Sequence, residues 1–439
     1  MTIERAVAAT EPTPPARIAS LDTTRGLALL GIMLVNVHYF TGPLASFSMV
    51  RPEPSGAPVP LWLDDVAFVF SRALFEGKFF PLYSLLFGAG MVLILEKVAA
   101  RNRRFWAVFL RRLAVLAVIG LAHGLLIWYG DILFVYALLG VGLMLLAPYS
   151  SGRTLCIIGA SLISVGMVLS LGCLSLQSLG NLSQTLPPLP ESIASLPPGE
   201  RLLQGMGIMQ QPHHPEWIEL EREAYAQGPY AQALIVRALS FVFSVGMSLI
   251  ILGPTIGGMF MLGAGLMKGR FWSGGWTALH RRLLWAGLGV GLPVSVASVL
   301  IARLATGPAA NVALAFSMAF GPVLTLGIAA GVIAWVRSGR AAGLARLLAV
   351  PGRMGLTNYL LTSVLMTLVA YHFGLGLWGT FGSAEQVALC VAVFAVLVTF
   401  SKVWMSRFVA GPVEWVWKCL TYLRLMPLAL GARGEQSAQ

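Results

Sequence analysis

Repeated apolar runs are the sequence feature that most limits what this chain can fold into. A bilayer crossing needs about 20 mostly apolar residues, and such runs recur from Leu27 to Ser401 with short polar turns between them. Composition agrees, because 57% of the 439 residues are apolar and only 11% are charged, well below an ordinary soluble domain. We therefore predict an all-α fold, a polytopic membrane helical bundle with the lipid bilayer as its main partner.

Ten apolar runs are predicted to be transmembrane helices. They are 26–45, 76–96, 107–127, 131–148, 153–175, 232–267, 281–302, 311–336, 354–374 and 386–404. The sixth run is too long for one crossing, which predicts a break or tilt at Gly253-Pro254.

The rest of the chain divides around these helices. Residues 1–25 are predicted to be a disordered cytoplasmic lead, because they are polar and rich in proline. Helices 1–5 (26–175) are followed by an exterior loop (176–231), in which the acidic stretch 216–223 predicts a short helix on the membrane face. Helices 6–10 (232–404) and a basic cytoplasmic tail (405–439) complete the chain.

The distribution of charge orients the bundle and argues against a nucleic-acid partner. The formal net charge is +12, but Lys and Arg concentrate in alternate loops and in the tail, and Asp and Glu in the opposite loops. By the positive-inside rule, the N- and C-termini are both predicted to be cytoplasmic. Basic residues that set this assignment include Lys97, Arg101, Arg103, Arg104, Arg153, Lys268, Arg281, Arg282, Arg337, Arg340 and Arg346.

Several classes of site are excluded by missing motifs. Four cysteines are too few for a disulfide framework, so we interpret them as free thiols. No zinc-ligand spacing, nucleophile elbow, phosphate-binding loop or dinucleotide fingerprint occurs in the sequence. We therefore expect no metal site.

Polar residues inside the apolar runs are the best guide to function, because a bilayer makes each of them costly. Asn36 and His38 lie in the outer half of the first run, where either an interhelical hydrogen bond or a ligand contact would explain them. A second group precedes and enters the second run. It predicts either local ion pairs or a charged exterior vestibule, and consists of Asp64, Asp65, Arg72, Glu76 and Lys78.

The segment His123–Leu133 is the most suggestive. His123 is about one turn from the end of the third run, and Asp131 opens the fourth after Gly130. A carboxylate at a helix start is often a cap. A membrane histidine beside an aspartate across a tight turn also suits a general base and its orienting partner. The sequence leaves both interpretations open.

A polar set is predicted at the cytoplasmic side. Asp22 and Arg25 have the i, i+3 spacing that places them on one helix face. They form either a cap with a surface ion pair or part of an anion site for lipid phosphate or a nucleotide-bearing cofactor. Other members of this set are Arg111, Arg112, Arg353, Asn358, Lys402, Arg407 and Glu414.

Short motifs of glycine, polar and aromatic residues recur along nearly the whole chain. The first is Asp22-x-x-Arg25-Gly26 with Asn36, and the others follow in order. They are Gly77-Lys78-Phe79, Leu85-Leu86-Phe87-Gly88-x-Gly90, Gly120-x-x-His123-Gly124, Trp128-x-Gly130-Asp131-Ile132-Leu133, Gly352-Arg353-Met354-x-Leu356-Thr357-Asn358-Tyr359 and Gly411-Pro412-Val413-Glu414-Trp415. In this order the motifs resemble the bacterial YeiB family of membrane proteins.

This resemblance implies membership in a transmembrane acyltransferase superfamily that includes heparan-glucosaminide acetyltransferase, in the bacterial inner (plasma) membrane. Such relatives take an acyl group from cytoplasmic acyl-coenzyme A and pass it to an exterior or lipid-linked acceptor such as a sugar, near a membrane histidine. His123 would be that histidine, and Asp131 would orient it. Acceptor-binding residues would be Asn36, Asp65, Lys78, Trp128 and Asn358, and cofactor-binding residues Arg25 and Arg353.

Three functions remain open from the sequence. A membrane acyltransferase requires a cavity that connects the basic cluster to His123. A small-molecule transporter or exporter would have a broken-helix site between related halves, although the sequence shows no repeat. A non-catalytic partner-binding protein would have a dry, packed His123. The oligomeric state is also open, with a homodimer as one option.

Overall fold

Seventeen α-helices make up most of the described chain. The computed structural model describes residues 19–47, 59–100, 105–180, 215–273, 277–305 and 308–430, and within them it contains no β-strand. The helices are α1 Ala19–Thr41, α2 Leu61–Leu74, α3 Phe79–Ala100, α4 Phe105–Leu126, α5 Leu133–Leu146, α6 Gly152–Gly180, α7 Pro215–Arg222, α8 Tyr230–Met247, α9 Gly253–Lys268, α10 Thr277–Ala286, α11 Leu292–Leu304, α12 Pro308–Ala319, α13 Gly321–Ser338, α14 Ala342–Gly352, α15 Gly355–Ala370, α16 Ser383–Met405 and α17 Pro412–Tyr422.

Seven segments of the described chain are long and apolar enough to cross a membrane. They are Leu61–Val98, Phe105–Leu126, Gly152–Cys173, Tyr230–Lys268, Thr277–Leu304, Pro308–Ser338 and Ser383–Met405. The shorter helices α5, α14 and α15 are also apolar. Each of the ten runs singled out in the sequence contains a helix, so the all-α polytopic bundle is confirmed.

Helix α1 is packed in the interior of the bundle. Its face formed by Ala28, Leu29, Met33 and Val37 is at most 1% exposed. It begins at Ala19, so residues 19–25 are helical and the expected disordered lead is wrong for them. Residues 1–18 lie outside the described chain.

Close backbone contact joins α1 to α14. A Cβ on Gly26 would lie 1.8 Å from the carbonyl oxygen of Leu348, and a Cβ on Gly352 would lie 2.0 Å from that of Asp22. Only glycine permits such an approach of two helices. The glycines of the Asp22-x-x-Arg25-Gly26 and Gly352-Arg353 motifs therefore serve helix packing.

The long sixth run is an almost unbroken helix of 39 residues. At 1.5 Å per residue it is about 58 Å long, nearly twice the thickness of a bilayer core. The expected break at Gly253-Pro254 takes the form of a π-helical turn at Ser248–Leu252, immediately before α9 begins. Pro254 is tolerated there because it occupies the first turn of α9.

Helix α2 was not predicted from the sequence. Its outer face exposes Leu61, Trp62 and Val66, while Ser71 and Arg72 are buried. The exposed face is mainly apolar, although it also holds Asp65, and two polar residues are buried, which suits a helix in contact with lipid. This helix is not found among the apolar runs of the sequence, because the segment also contains polar and charged residues.

A polar-aromatic cap closes the end of the bundle that holds Thr41. We define the cap as residues 215–227 and 371–382. The short helix expected at 216–223 is confirmed as α7, and its Trp217 and Glu221 are fully buried against the protein. Tyr225 stacks on Tyr371 with ring centroids 4.6 Å apart. Residues 181–214 of the expected exterior loop lie outside the described chain.

Candidate functional site

His123 and Asp131 form a buried hydrogen-bonded pair. Helix α4 ends at Leu126, and the turn that follows brings Asp131 back so that its Oδ2 lies 2.8 Å from Nδ1 of His123. His123 is 2% exposed and Asp131 5%. The contact that the sequence predicted across this turn is present.

The second carboxylate oxygen of Asp131 fixes the carboxylate in place. Oδ1 accepts the backbone N–H of Phe134 at 2.8 Å, in the first turn of α5. The cap and the histidine partner, which were alternatives in the sequence, are therefore combined in one residue. Because the carboxylate accepts both bonds, the proton of a neutral His123 lies on Nδ1 and the lone pair on Nε2. In the described chain, Nε2 of His123 has no hydrogen-bond partner.

Gly120 makes room for this pair. A Cβ at Gly120 would lie 2.7 Å from Oδ1 of Asp131 and 2.4 Å from the backbone nitrogen of Phe134. Any larger residue on this turn of α4 would displace the carboxylate. The glycine one turn before His123 is thus a geometric requirement of the pair.

A cavity of about 360 Å³ adjoins the pair. Its wall is formed by α1, the end of α2, the turn after α4, the π-helical turn before α9, and α12. The polar residues among its lining are Asn36, Tyr39, Arg72, Glu76, Trp128, Tyr129, Asp131, Ser244, Ser248, Asn311, Ser317 and Tyr359. Most of the remaining lining is apolar, as is usual for small-molecule sites.

Asp131, rather than His123, borders the cavity. His123 lies behind it, in ring contact with Tyr359 at 5.2 Å and with Trp128 at 6.4 Å between centroids. Both aromatic residues line the cavity. A group in the cavity therefore meets the carboxylate first, which reverses the order expected from the sequence.

An ion pair lines another part of the cavity wall. Nη1 of Arg72 lies 2.6 Å and 2.7 Å from the two carboxylate oxygens of Glu76, one helical turn away. Arg72 also donates to the carbonyl oxygen of Ser46. Of the two interpretations of this charged group, local ion pairing is present, and Arg72 and Glu76 also face the cavity.

The other expected acceptor-binding residues separate into two groups. Asn36 and Trp128 line the cavity, and Lys78 lies directly behind it. Asp65 pairs with Arg303 and its side chain is 55% exposed, away from the cavity. Asn358 is buried between the carbonyl oxygen of Pro351 and Oγ of Ser401, in a structural position.

The basic end of the bundle, which we define by Arg25, Arg112 and Arg353, lies outside the cavity lining. Arg25 pairs with Asp22 at 3.2 Å and keeps 31% of its side chain exposed. Gly352 packs against the first turn of α1, so Arg353 follows directly after that contact. Along α1, Arg25 is seven residues from Ile32, the nearest lining residue of that helix, or about 10 Å. The cavity that was expected to connect this end to His123 therefore stops short of it.

Glu414 organises the basic end. One of its oxygens accepts the backbone N–H groups of Leu356 and Thr357 at 2.7 and 3.1 Å, and the other accepts the hydroxyl of Thr357. Glu414 belongs to α17 and caps the N-terminus of α15. This contact explains together the motif that contains Leu356-Thr357 and the motif that contains Glu414. Next to it, the Arg112 guanidinium lies 3.4 Å from the ring centroid of Trp417.

Sequence reasoning missed Tyr359, Ser317 and Asn311 as lining residues. Tyr359 follows Asn358 in the Leu356-Thr357-Asn358-Tyr359 motif, and its position there was the only available signal. Ser317 and Asn311 sit in α12 among small apolar residues, where serine and asparagine usually serve helix contacts. Their approach to the cavity depends on how α12 packs in the folded protein.

Fold and site together define a multi-pass membrane protein whose cavity is bordered by a buried carboxylate–imidazole pair. A family model described as "Protein of unknown function (DUF418)" matches residues 267–424. The chain is 31% identical over 415 residues to the Escherichia coli protein YeiB, covering 92% of this chain and 96% of the relative. It is 29% identical over 438 residues to YxaH of Bacillus subtilis, covering 94% and 96%. The chain belongs to the YeiB family.

Proposed function

We propose that this protein is a membrane-embedded acyltransferase that uses acyl-coenzyme A as donor and a hydroxyl or amine of an exterior or lipid-linked acceptor. The observation that carries this proposal is the His123–Asp131 pair, buried and hydrogen-bonded at 2.8 Å, with its carboxylate on a cavity wall. A bilayer makes buried ionisable residues costly, so their presence at a cavity favours a chemical role.

In this proposal the pair accepts one proton. Acyl-coenzyme A supplies an electrophilic thioester carbonyl carbon. Asp131 contacts the acceptor hydroxyl or amine, and the pair takes up its proton while the new C–O or C–N bond forms and the C–S bond breaks. The proton stays on Asp131, and His123 holds and polarises this carboxylate from behind through its Nδ1–H. The proton then returns to the departing thiolate.

The cavity suits an amphiphilic acceptor. Asn36 and Asn311 offer amide groups, and Trp128 offers an aromatic face of the kind that packs on sugar rings. Met247 and Ile251 supply an apolar wall from the long helix. This mixture fits a small polar head with an attached apolar group.

The basic end suits the anionic part of the donor. Arg25 is partly exposed, and Arg353 directly follows the contact of Gly352 with the first turn of α1. In this proposal the two guanidinium groups bind the same phosphate group of the donor. Two guanidinium groups, each with paired N–H donors, bind phosphate well. Because the cavity stops about 10 Å short of this end, the thiol arm of a bound donor would reach it only after the bundle opens along α1 between Arg25 and Ile32. We place this end at the cytoplasmic face of a bacterial inner membrane.

The test uses purified protein in detergent with acetyl-coenzyme A and a panel of amino sugars and lipid-linked sugars. Release of free thiol together with label in the acceptor would support the proposal. Arg25→Gln and Arg353→Gln should each weaken coenzyme A binding by about tenfold, as loss of a charge-assisted hydrogen bond predicts. Lys418→Gln removes a basic side chain of α17 outside the proposed donor site and serves as the matched control.

No coenzyme A binding and no thiol release in the parent protein would overturn the proposal. Movement of an unmodified acceptor across the membrane of proteoliposomes, without acyl transfer, would favour a transporter instead.

A further inference from the structure

A fully buried lysine lies within hydrogen-bond distance of a serine on the cavity wall. Nζ of Lys78 is 2.8 Å from Oγ of Ser317, and its second contact is the carbonyl oxygen of Arg72 at 3.4 Å. Lys78 is 0% exposed. Within the described chain, no carboxylate lies at ion-pair distance from Nζ. A buried lysine without a paired carboxylate is costly, so its presence needs a reason.

The local fold holds Lys78 in this position. Gly77 adopts a positive φ of 76° between α2 and α3, and a Cβ on Gly321 would lie 2.1 Å from the carbonyl oxygen of Gly77. Thr325 donates its hydroxyl to the carbonyl oxygen of Lys78 at 2.7 Å. The tight turn therefore directs the lysine behind the cavity wall and toward α12.

The hydroxyl protons of Ser295 and Ser317 determine which hydrogen bonds Ser317 can make. Ser295 donates its single hydroxyl proton to the carbonyl oxygen of Ala73 at 2.7 Å, so it can only accept from Ser317, 2.9 Å away. With a charged Lys78, the Ser317 proton points to Ser295. With a neutral Lys78, the hydroxyl can rotate and donate to Nζ instead. The serine thus has two positions for its proton, and one of them is the lysine.

We propose that Ser317 is a nucleophile activated by Lys78 and that it carries the acyl group as an ester between donor and acceptor. This step rests on the proposed acyl transfer. Oγ of Ser317 attacks the thioester carbonyl carbon, Lys78 takes the hydroxyl proton, the C–S bond breaks, and the proton passes to the thiolate. A serine paired with a lysine is a known form of activated nucleophile.

The arrangement divides the reaction between two walls of one cavity. Ser317 on α12 and Asp131 on the turn after α4 both line it. In this two-step form the acceptor attacks after the C–S bond has already broken. Asp131 takes the acceptor's proton as the acceptor attacks the ester carbon, the bond from that carbon to Oγ of Ser317 breaks, and the proton returns to Oγ. This separation also explains how the donor can leave before the acceptor enters.

A fluorophosphonate probe tests the nucleophile without any acyl donor. Parent protein in detergent should be labelled on Ser317, as mapped by peptide mass spectrometry. Ser317→Ala should abolish labelling, and Lys78→Met should slow it by about 100-fold, the range typical of a lost general base. Ser363→Ala, a buried serine on α15 outside the cavity lining, is the matched control and should keep full labelling.

Ser317→Cys provides a second route if Lys78→Met fails to fold. With [14C]acetyl-coenzyme A and no acceptor, the parent should trap label as an ester stable to neutral hydroxylamine, and Ser317→Cys should trap it as a labile thioester. Absence of fluorophosphonate labelling at Ser317 in folded parent protein would overturn this inference, whatever the outcome for acyl transfer. If the probe labels Ser317 but no acetyl group from acetyl-coenzyme A is trapped on it, the activation of Ser317 by Lys78 stands and the proposed donor is rejected.

Discussion

The carboxyl oxygen Oε2 of Glu221 accepts the backbone N–H of Leu44 at 3.0 Å, across 177 residues of sequence. Leu44 lines the cavity, and Glu221 belongs to α7 in the cap. This bond therefore joins the cap to the cavity wall. Burial of Glu221 raises its pKa to about 8.

The raised pKa of Glu221 predicts that stability depends on pH. The unfolded chain ionises this group near its ordinary pKa of 4.5, whereas the folded protein keeps it protonated up to about pH 8. Its contribution to the free energy of unfolding is fully present below about pH 4.5 and is lost as pH rises toward 8. The loss is about 1.4 kcal/mol for each unit by which the folded pKa exceeds the unfolded pKa. The melting temperature, followed by tryptophan fluorescence, should fall from pH 5 to 8.5.

Glu221→Gln should flatten that pH profile. Glu219→Gln is the control on the same helix, because Glu219 is half exposed and pairs only with Arg222. Its profile should follow that of the parent. A profile of Glu221→Gln identical to that of the parent would contradict this explanation.

Removal of the Glu414 cap should destabilise the basic end. Glu414→Ala leaves two backbone N–H groups and the Thr357 hydroxyl without their acceptor, at a cost of about 3 kcal/mol. The midpoint of unfolding in a detergent–denaturant titration measures it. Asp65→Ala, which breaks only an exposed pair with Arg303, should cost less than about 1 kcal/mol. Equal losses in the two variants would refute the assignment.

Close packing of α1 on α14 should not tolerate a methyl group. Gly26→Ala and Gly352→Ala each place a Cβ within about 2 Å of a carbonyl oxygen and should lower the melting temperature strongly. Gly142→Ala has open space around it and should be neutral or slightly stabilising. If Gly26→Ala behaves like Gly142→Ala, the helices are farther apart than described.

Reporter fusions test the predicted orientation. Fusions after Arg104 and after Arg340 should report as cytoplasmic, and fusions within 185–215 as exterior, because the basic loops alternate with acidic ones. A cytoplasmic signal from 185–215 would overturn the orientation.

The sequence predicted the helices better than it predicted their partners. Length and apolarity of a run are local properties, so each of the ten runs contains a helix. Helix α2 was missed because Ser71 and Arg72 point into the protein, which hydropathy alone cannot distinguish from a polar loop.

The site was predicted only where its parts are close in sequence. His123 and Asp131 are eight residues apart, so a single turn could bring them together. Lys78 and Ser317 are 239 residues apart, and their contact depends on how the turn at Gly77 packs against Met318 of α12 and Gly321 of α13. Asn358 lies outside the cavity lining, because its amide nitrogen joins Pro351 to Ser401, and a buried amide of this kind has the same sequence signature as a ligand contact.

The most direct test of the central claim is the turnover number for acyl transfer in Asp131→Asn and His123→Gln, compared with the parent at equal folded fraction. Both substitutions nearly keep the size of the side chain. Asp131→Asn removes the proton acceptor and His123→Gln removes the imidazole that holds it, so turnover should fall about 100-fold or more in each. Asp65→Asn, outside the cavity, should retain parental turnover. Unchanged turnover in folded Asp131→Asn and His123→Gln would contradict the assignment of chemistry to this pair.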